Sequence, residues 1–389
     1  MRQLKRTWVE IDLDALAHNF NEIRRQVGRA VDIMAIVKAD AYGHGAKQVA
    51  QTLQAQGADW FGVSNINEAK ALRRYGVTKP ILILGYTPEE NVAELAQQNI
   101  TQSVLGADYA RSLSKAAAAA GVRPDVHIKL DTGMSRIGFA ARDARGAADE
   151  IAAVCADAHL RVTGMFTHFA VADEPDSEES LAYTRRQHAL FEAVAQGLDD
   201  RGCIFFHKHC CNSAGTLLYP EYYHEMVRPG LILYGETPMD AAHTKLDLRP
   251  VMTLKTVAAL VKPVQKGECV SYGCTYTADA DKVVATVPIG YADGYVRALS
   301  GKGLGYVGGA VVPVIGRVCM DQMMLDVTGV DVQEGDVVTL FGGGSPISLD
   351  NIAKIAGTIS YELMCGISRR VQRVYVRGGK IVDVVDYTE

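Results

Sequence analysis

Residues 33–45, IMAIVKADAYGHG, begin with an apolar run and continue into a loop of small residues. The apolar run at 33–37 is typical of a buried strand. Lys38 follows it directly, although lysine is among the residues that are least often fully buried. The stretch therefore predicts a core strand that carries an amine to the loop at its carboxyl end.

Seven more short runs with strand character follow, and helix-patterned, alanine-rich segments separate most of them. They lie at 60–64, 80–85, 101–105, 125–130, 160–167, 203–209 and 226–234. Eight strands with helical crossovers predict a parallel TIM (β/α)8 barrel, and an open doubly wound sheet is the main alternative. In a barrel the chemistry lies at the carboxyl ends of the strands, which is where Lys38 stands.

The pattern changes after about residue 245, where short strands alternate with glycine-rich turns and one helix is predicted at 349–356. This texture predicts a mainly β second domain. We place the barrel domain at 1–243 and the β domain at 244–389. The segment GKGLGYVGG at 301–309 predicts a mobile hairpin rather than a dinucleotide-binding loop, because no helical pattern follows it.

Composition excludes several classes of function. The 389 residues carry a net charge of −5 without a basic stripe, so nucleic acid is not an expected partner. No apolar run is long enough to span a membrane, and the basic N-terminus lacks the apolar core of a secretory signal. The 8 cysteines form no C-x-x-C pair, which favours free thiols and a cytoplasmic location.

Polar residues follow the ends of several predicted strands. They are Lys38 and Tyr42, then Lys129, Asp131 and Arg136, then His168, Asn212 and Ser213, and finally Arg228. Each alone also fits a structural or surface position. Together they predict a pocket with a nucleophilic lysine, arginines for anions, and backbone amides near Ser213 and Gly230 for a phosphate. This set favours pyridoxal 5′-phosphate (PLP), held by the lysine as a Schiff base.

The segment HKHCC at 207–211 has the residue types of a metal site. A strand points neighbouring side chains to opposite faces, and the usual spacing of zinc ligands is missing. No metal site is therefore predicted from the sequence.

Eight motifs run through the chain in a fixed order. They are AIVKADAYGHG at 35–45, KLDTGMSRIGF at 129–139, HCCNSAG at 209–215, VRPGLILYG at 227–235, VSYGCTY at 270–276, PIGYADGY at 288–295, GRVCMDQ at 316–322 and ISYEL at 359–363. In this series the sequence resembles the alanine racemases, PLP enzymes of fold type III, over essentially its whole length. The lysine motif alone would also match barrel decarboxylases and small PLP-carrier proteins.

The resemblance implies a homodimer that interconverts L- and D-alanine and supplies D-alanine for peptidoglycan. Lys38 would hold PLP and act as one base, and Tyr272 of the second subunit would be the other base. Arg228 would face the pyridine nitrogen. The phosphate would be held by Tyr42, Ser213, Tyr361 and the backbone of Gly230 and Leu231.

Further roles follow from the same resemblance. Arg136 and the backbone of Met320 would hold the substrate carboxylate, and His168 would lie beside the cofactor and hydrogen-bond Tyr272. Lys129 would be carbamylated and braced against Arg136. The lining of the path by which substrate arrives would comprise Tyr291, Arg297, Arg317, Asp321 and Ile359.

Two positions depart from the family pattern. Asp40 stands where many alanine racemases have asparagine, and its charge is expected to raise the pKa of Lys38. Cys274 occupies a variable position in VSYGCTY. Three alternative functions stay open: a racemase that prefers serine, a decarboxylase on the same two-domain fold, and a non-catalytic PLP carrier. The carrier is disfavoured because such proteins lack the second domain and Tyr272.

Overall fold

Eight parallel strands form a nearly closed barrel in the computed structural model, which describes residues 5–388. The strands are Asp32–Ile36, Trp60–Val63, Ile81–Ile83, Ile100–Val104, Asp125–Asp131, Arg161–Phe166, His207–His209 and Met226–Val227. The last of them pairs with the first. Between the last two, the N–H of Arg228 donates to the carbonyl of Cys211 at 2.9 Å. The predicted barrel is confirmed, and the open sheet is not formed.

Helices connect these strands on the outside of the barrel. They are Leu13–Val27, Ala46–Ala55, Ile66–Arg74, Val92–Gln97, Ala107–Ala120, Ala144–Cys155, Glu178–Asp199 and Ser213–Leu218. The first helix begins where the carboxylate of Asp12 accepts hydrogen bonds from the N–H groups of Asp14 and Ala15. Its buried face carries Leu16 and Phe20, so the helical spacing of apolar residues packs it against the core.

The last two barrel strands are shorter than the sequence predicts. Of the predicted runs at 203–209 and 226–234, only 207–209 and 226–227 form strands. The second run is interrupted by Pro229, which has no N–H to donate to a ladder, and Leu231–Tyr234 then turns as a 3₁₀ helix. The apolar residues Leu231–Tyr234 are buried, but they form a 3₁₀ turn rather than a strand.

The second unit is built around a ten-stranded sheet. Its strands are Thr7–Asp12, Met252–Val257, Leu260–Val264, Lys282–Val287, Leu304–Val307, Ala310–Ile315, Met323–Asp326, Val337–Phe341, Gln372–Arg377 and Lys380–Val385. A small sheet pairs Cys269–Val270 with Tyr276–Thr277, and the helices are Leu349–Ala356 and Ser360–Gly366. The mainly β character and the predicted helix are confirmed.

One strand of this sheet comes from the other end of the chain. Thr7–Asp12 lies between Met252–Val257, antiparallel, and Gln372–Arg377, parallel. The sequence-based division at 243/244 assigns this strand to the barrel unit, because strand alternation carries no information about partners some 250 residues away. The chain therefore starts in the β sheet and reaches the barrel through the helix that Asp12 caps.

Leu304–Val307 and Ala310–Ile315 form a hairpin, as the glycine-rich segment predicts. Its turn residues Gly308 and Gly309 both have positive φ, 56° and 80°, as a tight two-residue turn between twisted strands requires. The mobility of this hairpin stays a prediction.

Between residues 5 and 388, no helix is long and apolar enough to cross a lipid bilayer. The expectation that the basic N-terminus is not a secretory signal falls partly on residues 1–4. These four residues lie outside the described part of the chain.

Candidate active site

A cavity of about 440 Å³ opens at the carboxyl ends of the barrel strands. Most of the residues that the sequence assigns to the site line it: Lys38, Tyr42, Lys129, Arg136, His168, Ser213, Arg228, Gly230, Leu231 and Tyr361. The barrel brings nine of these positions together from consecutive strand ends, and Tyr361 comes from a helix of the second unit. The volume of the cavity lies within the range of small-molecule and cofactor sites, roughly 300–1,000 Å³.

Lys38 is followed by a left-handed turn. Ala39, Asp40, Ala41 and Tyr42 all have φ of 53–54°, a region that costs L-residues about 1–2 kcal/mol each. Contacts from outside the turn hold it. The N–H of Ala39 donates to Glu68 Oε1 at 2.8 Å, which fixes the turn at its first residue.

Asp40 lies at the centre of the other anchor. Its Oδ1 accepts from the N–H of Ala46 at 2.7 Å, and its Oδ2 accepts from the hydroxyl of Tyr387 at 2.5 Å. This carboxylate serves the turn and is not among the charges that act on the Lys38 amine. The expectation that Asp40 raises the pKa of Lys38 is therefore wrong.

The pKa of Lys38 is instead lowered, first by burial and then by the positive charge of Arg136. The smaller influences of Cys365 and Glu68 act in the opposite direction. A lowered pKa increases the fraction of neutral amine near neutral pH. The neutral amine is both the nucleophile toward an aldehyde and a base for a proton.

Arg228 is held rigidly in the wall of the cavity. Its guanidinium donates to the carbonyls of His209 at 2.8 Å, Thr167 at 2.7 Å and Cys210 at 3.0 Å. Burial lowers its pKa to about 10, so the side chain stays charged at neutral pH. The contacts are made to uncharged carbonyl groups, so they do not neutralise the positive charge of Arg228, which lines the cavity.

Two hydrogen-bonded histidines, His209 and His127, help to position the Arg228 guanidinium. Arg228 Nη1 lies 3.0 Å from His209 Nδ1, which must accept because arginine only donates. The His209 proton is then on Nε2, 3.0 Å from His127 Nδ1. Burial lowers the pKa of both imidazoles, so they are neutral. Within HKHCC, His209 therefore orients Arg228.

His168 lines the cavity and lies next to Arg228. Arg228 Nη2 approaches His168 Nδ1 at 3.4 Å, so Nδ1 is the acceptor and the proton is on Nε2. Burial, together with the charges of Arg228, Lys129 and Arg136, holds the His168 pKa well below its usual value. His168 is a neutral donor, and the positive charges that act on it include those of Arg228, Lys129 and Arg136.

Hydroxyl and backbone groups also line the cavity, at Tyr42, Ser213, Gly230 and Tyr361. Ser213 Oγ accepts from the N–H of Gly230 at 2.9 Å. A Cβ on Gly230 would lie 2.6 Å from the Tyr42 hydroxyl. Glycine at this position therefore lets the backbone lie close to Tyr42 without a clash. The Tyr42 and Tyr361 rings stand 5.9 Å apart. Because Lys38 lines the same cavity, this set of residues fits a cofactor that carries a phosphate and an aldehyde.

Lys129 and Arg136 form the third side of the cavity. Lys129 is buried, and its Nζ donates to the carbonyl of Leu130 at 2.7 Å. Burial and the charge of Arg228 are the main reasons why its pKa falls to about 7, with Arg136 contributing and Asp131 opposing. An unmodified, protonated Lys129 would therefore stand among like charges.

Tyr272 and Met320 are not in this cavity. They line a separate shallow pocket with Ser271, Cys319, Asp321 and Gln322. Tyr272 is 69% exposed and Met320 is 53% exposed. Within one chain, the structure thus separates the two residues that the sequence assigns as bases.

The residues expected along the substrate path are also outside the main cavity lining: Tyr291, Arg297, Arg317, Asp321 and Ile359. Arg317 lies beside the Tyr272 turn, where its carbonyl accepts from Ser271 Oγ at 2.8 Å. Asp321 pairs with Arg370 at 2.8 Å. Tyr291 and Ile359 are exposed.

Sequence reasoning missed Glu68, which anchors the Lys38 turn. Its carboxylate also accepts from the N–H of Ser64 at 2.8 Å, and Asn65 caps the same helix. An asparagine followed three residues later by a glutamate is a helix-start signal that could have drawn attention to it. Nothing in the local sequence around Tyr387 points to its contact with Asp40.

Comparisons with known proteins agree along the chain. Residues 11–238 match the alanine racemase N-terminal domain, and residues 251–375 match the C-terminal domain. The alanine racemase of Desulforamulus reducens is 45% identical over 371 residues, covering 95% of this chain and 98% of the relative. Alanine racemase 2 of Caldanaerobacter subterraneus subsp. tengcongensis is 42% identical over 388 residues, covering 99% and 98%.

Solved structures are similar over the same length. The alanine racemase of Clostridium difficile 630 superposes with a TM-score of 0.93 at 39% identity, covering 100% of both chains. The alanine racemase of Bacillus anthracis with bound L-Ala-P has a TM-score of 0.93 at 35% identity, covering 100% of this chain and 99% of the other.

Proposed function

Because the chain belongs to the alanine racemase family, we propose that it interconverts L- and D-alanine by a two-base mechanism. The protein is an isomerase, an amino-acid racemase. In the proposal, Lys38 is one base and Tyr272 of the partner subunit is the other. The observation that supports it is that Lys38 lines one cavity, whereas Tyr272 is exposed and lines a separate pocket of the same chain.

We propose PLP as the cofactor. Lys38 would hold it covalently, Arg228 would face its ring nitrogen, and Tyr42, Ser213 and Tyr361 would hold its phosphate with the backbone of Gly230 and Leu231. When bound, PLP stabilises the carbanion that forms when Cα loses its proton. The Arg228 guanidinium disfavours protonation of the ring nitrogen, since like charges repel. A weaker electron sink favours return of the proton to Cα.

A visible spectrum tests the cofactor and its anchor. We expect the purified protein to show the absorption band of lysine-bound PLP, and we expect Lys38→Ala to lose that band. Lys262→Ala, on the strand Leu260–Val264 of the β sheet, is a matched control that should keep it. A band of equal intensity and position in Lys38→Ala would contradict the assignment.

The proton steps follow from the residues around Cα. Racemisation removes a proton from one face and returns one to the other, so bases on opposite faces are the simplest solution. Lys38, with its lowered pKa, supplies a neutral amine on one side. In the assembled dimer the Tyr272 hydroxyl would serve the other, with the Nε2–H of His168 as its donor. Arg136 and the backbone of Met320 would orient the substrate carboxylate.

We propose a homodimer with shared sites because the pocket with Lys38 and the pocket with Tyr272 are separate within one chain. We propose mixing inactive Lys38→Ala and Tyr272→Ala subunits. Each heterodimer would contain one site with both bases intact, so random exchange between symmetric dimers should restore about a quarter of the wild-type activity. No restored activity in verified heterodimers would contradict sharing.

Substrate choice needs its own measurement. We expect kcat/KM for alanine to exceed that for serine and other small amino acids, and we expect no release of CO₂ from basic amino acids. A higher kcat/KM for serine would make the protein a serine racemase with the same chemistry.

The cellular role and location belong to the same proposal. D-alanine from this reaction would supply peptidoglycan synthesis. All eight cysteines are free thiols in the structure, the state that a reducing compartment maintains, and we propose the cytoplasm.

A further inference from the structure

Three potential metal ligands meet away from the cavity. His188 and Glu192 lie one turn apart on the helix Glu178–Asp199, and His224 lies in the loop before the strand Met226–Val227. None of them lines the cavity that contains Lys38. Neither the sequence nor the proposed racemisation gives this cluster a role.

The three ligand atoms form a nearly regular triangle. His188 Nε2 and His224 Nε2 are 3.2 Å apart. Glu192 Oε1 lies 3.4 Å from His224 Nε2 and 3.8 Å from His188 Nε2. Ligands about 2.0–2.1 Å from a tetrahedral zinc ion are themselves about 3.3 Å apart. The triangle therefore has the size of three ligand positions around one ion, with a fourth position left for water.

The surroundings fix both imidazoles. The His188 ring stacks on Tyr222, with centroids 3.8 Å apart and planes 15° apart, and the His224 ring packs against Phe191 at 5.3 Å. His224 has φ of 51°, a left-handed conformation that is uncommon among non-glycine residues and that histidine tolerates better than most. Both histidine side chains are largely buried, whereas Glu192 is half exposed and free to adjust. The backbone thus holds the two Nε2 atoms toward each other.

The local charge suits a cation. The negative charges of Glu192 and Glu221 act on the imidazole of His188, and those of Glu192 and Glu225 act on the imidazole of His224. The positive charge of Lys208 opposes them at His224.

We propose that His188, Glu192 and His224 bind a divalent transition-metal ion of the zinc class. Two imidazoles with one carboxylate suit zinc better than magnesium or calcium, which prefer oxygen ligands. The ion ties the loop at 220–225 to the helix Glu178–Asp199. It is structural, and racemisation does not pass through it.

Metal binding to the full-length protein tests the proposal. Zinc would be titrated against a chromophoric chelator, and cobalt would be used for its ligand-sensitive spectrum. Cys269 and Cys274 lie close together and offer a competing thiol site, so every comparison is made in a Cys269→Ser background. We expect one ion per chain and a cobalt spectrum without a thiolate charge-transfer band.

The variants are chosen to keep the fold. His188→Gln retains a planar group over Tyr222, and His224→Asn tolerates the left-handed backbone. We expect each to weaken zinc binding at least tenfold and to abolish the zinc-dependent rise in Tm, with racemase activity unchanged. His159→Ala, at an exposed histidine on another part of the barrel, should bind zinc like the parent. Unchanged affinity in the double variant His188→Gln/His224→Asn, or no binding in the parent, would overturn the proposal.

Discussion

At the scale of single residues, burial among arginines explains the unusual chemistry of two lysines. Lys38 and Lys129 are both desolvated, and arginines lower the pKa of both. The consequences differ because their neighbours differ. Lys38 lines the cavity with the proposed phosphate-binding residues, whereas the positive charges of both Arg228 and Arg136 act on Lys129, where a negative group would balance them.

Lys129 is therefore predicted to be carbamylated. CO₂ reacts with the neutral amine, and a pKa of about 7 makes the neutral fraction rise as the pH increases through 7. With ¹³C-labelled bicarbonate, we expect a carbamate NMR signal that is stronger at pH 8 than at pH 6 and absent from Lys129→Ala. Lys262→Ala should keep the signal. Absence of any carbamate resonance at pH 8 would mean that Lys129 is unmodified.

Tyr272 is predicted to be required for proton transfer at one face of Cα. Tyr272→Phe removes the hydroxyl and keeps the ring, and loss of a positioned base typically costs about 10²–10⁴-fold in rate. We expect kcat for racemisation to fall by that factor while the PLP absorbance persists. Tyr276→Phe, in the same segment, should behave like the wild type. Full racemisation in both directions by Tyr272→Phe would refute the two-base mechanism.

At the scale of elements, the sequence predicted strands better than turns. The run at 33–37 is apolar because the barrel core surrounds it, and its end at Lys38 is readable from local pattern alone. The left-handed turn after it is not readable, because Ala39, Asp40 and Ala41 have no shared preference for positive φ. Distant residues impose it through Glu68 and Tyr387. For the same reason the strand Thr7–Asp12 could not be assigned to its sheet.

The Asp40 anchor is predicted to keep this turn in its left-handed form. Asp40→Ala removes the acceptors for Tyr387 and Ala46, which should lower the free energy of unfolding by about 1–2 kcal/mol. We also expect weaker PLP binding, measured by the absorbance of the bound cofactor. Asp40→Asn is the matched control, because asparagine keeps an acceptor and tolerates the left-handed region. Equal PLP affinity in Asp40→Ala and the wild type would show that the left-handed turn does not depend on the contacts of Asp40.

At the scale of the whole molecule, the two residues proposed as bases lie in two separate pockets of the chain. The cavity with Lys38, Arg228 and the proposed phosphate-binding residues is lined by residues of one chain. Tyr272 and Met320 are exposed on the second unit, where they line a shallow pocket that is separate from the cavity with Lys38. Cofactor binding is thus expected to be a property of the single chain, and racemisation a property of the dimer.

Dilution separates these two properties. As the protein concentration falls through the dissociation constant of the dimer, we expect specific activity to decline in parallel with the dimer fraction from analytical ultracentrifugation. The absorbance of bound PLP per chain should stay constant over the same range, provided that free PLP is held above its own dissociation constant. If the activity per chain stayed constant where sedimentation finds only monomers, each chain would carry both bases itself. Tyr272 would then have to reach the Lys38 cavity of its own subunit, which its exposed position on the second unit argues against.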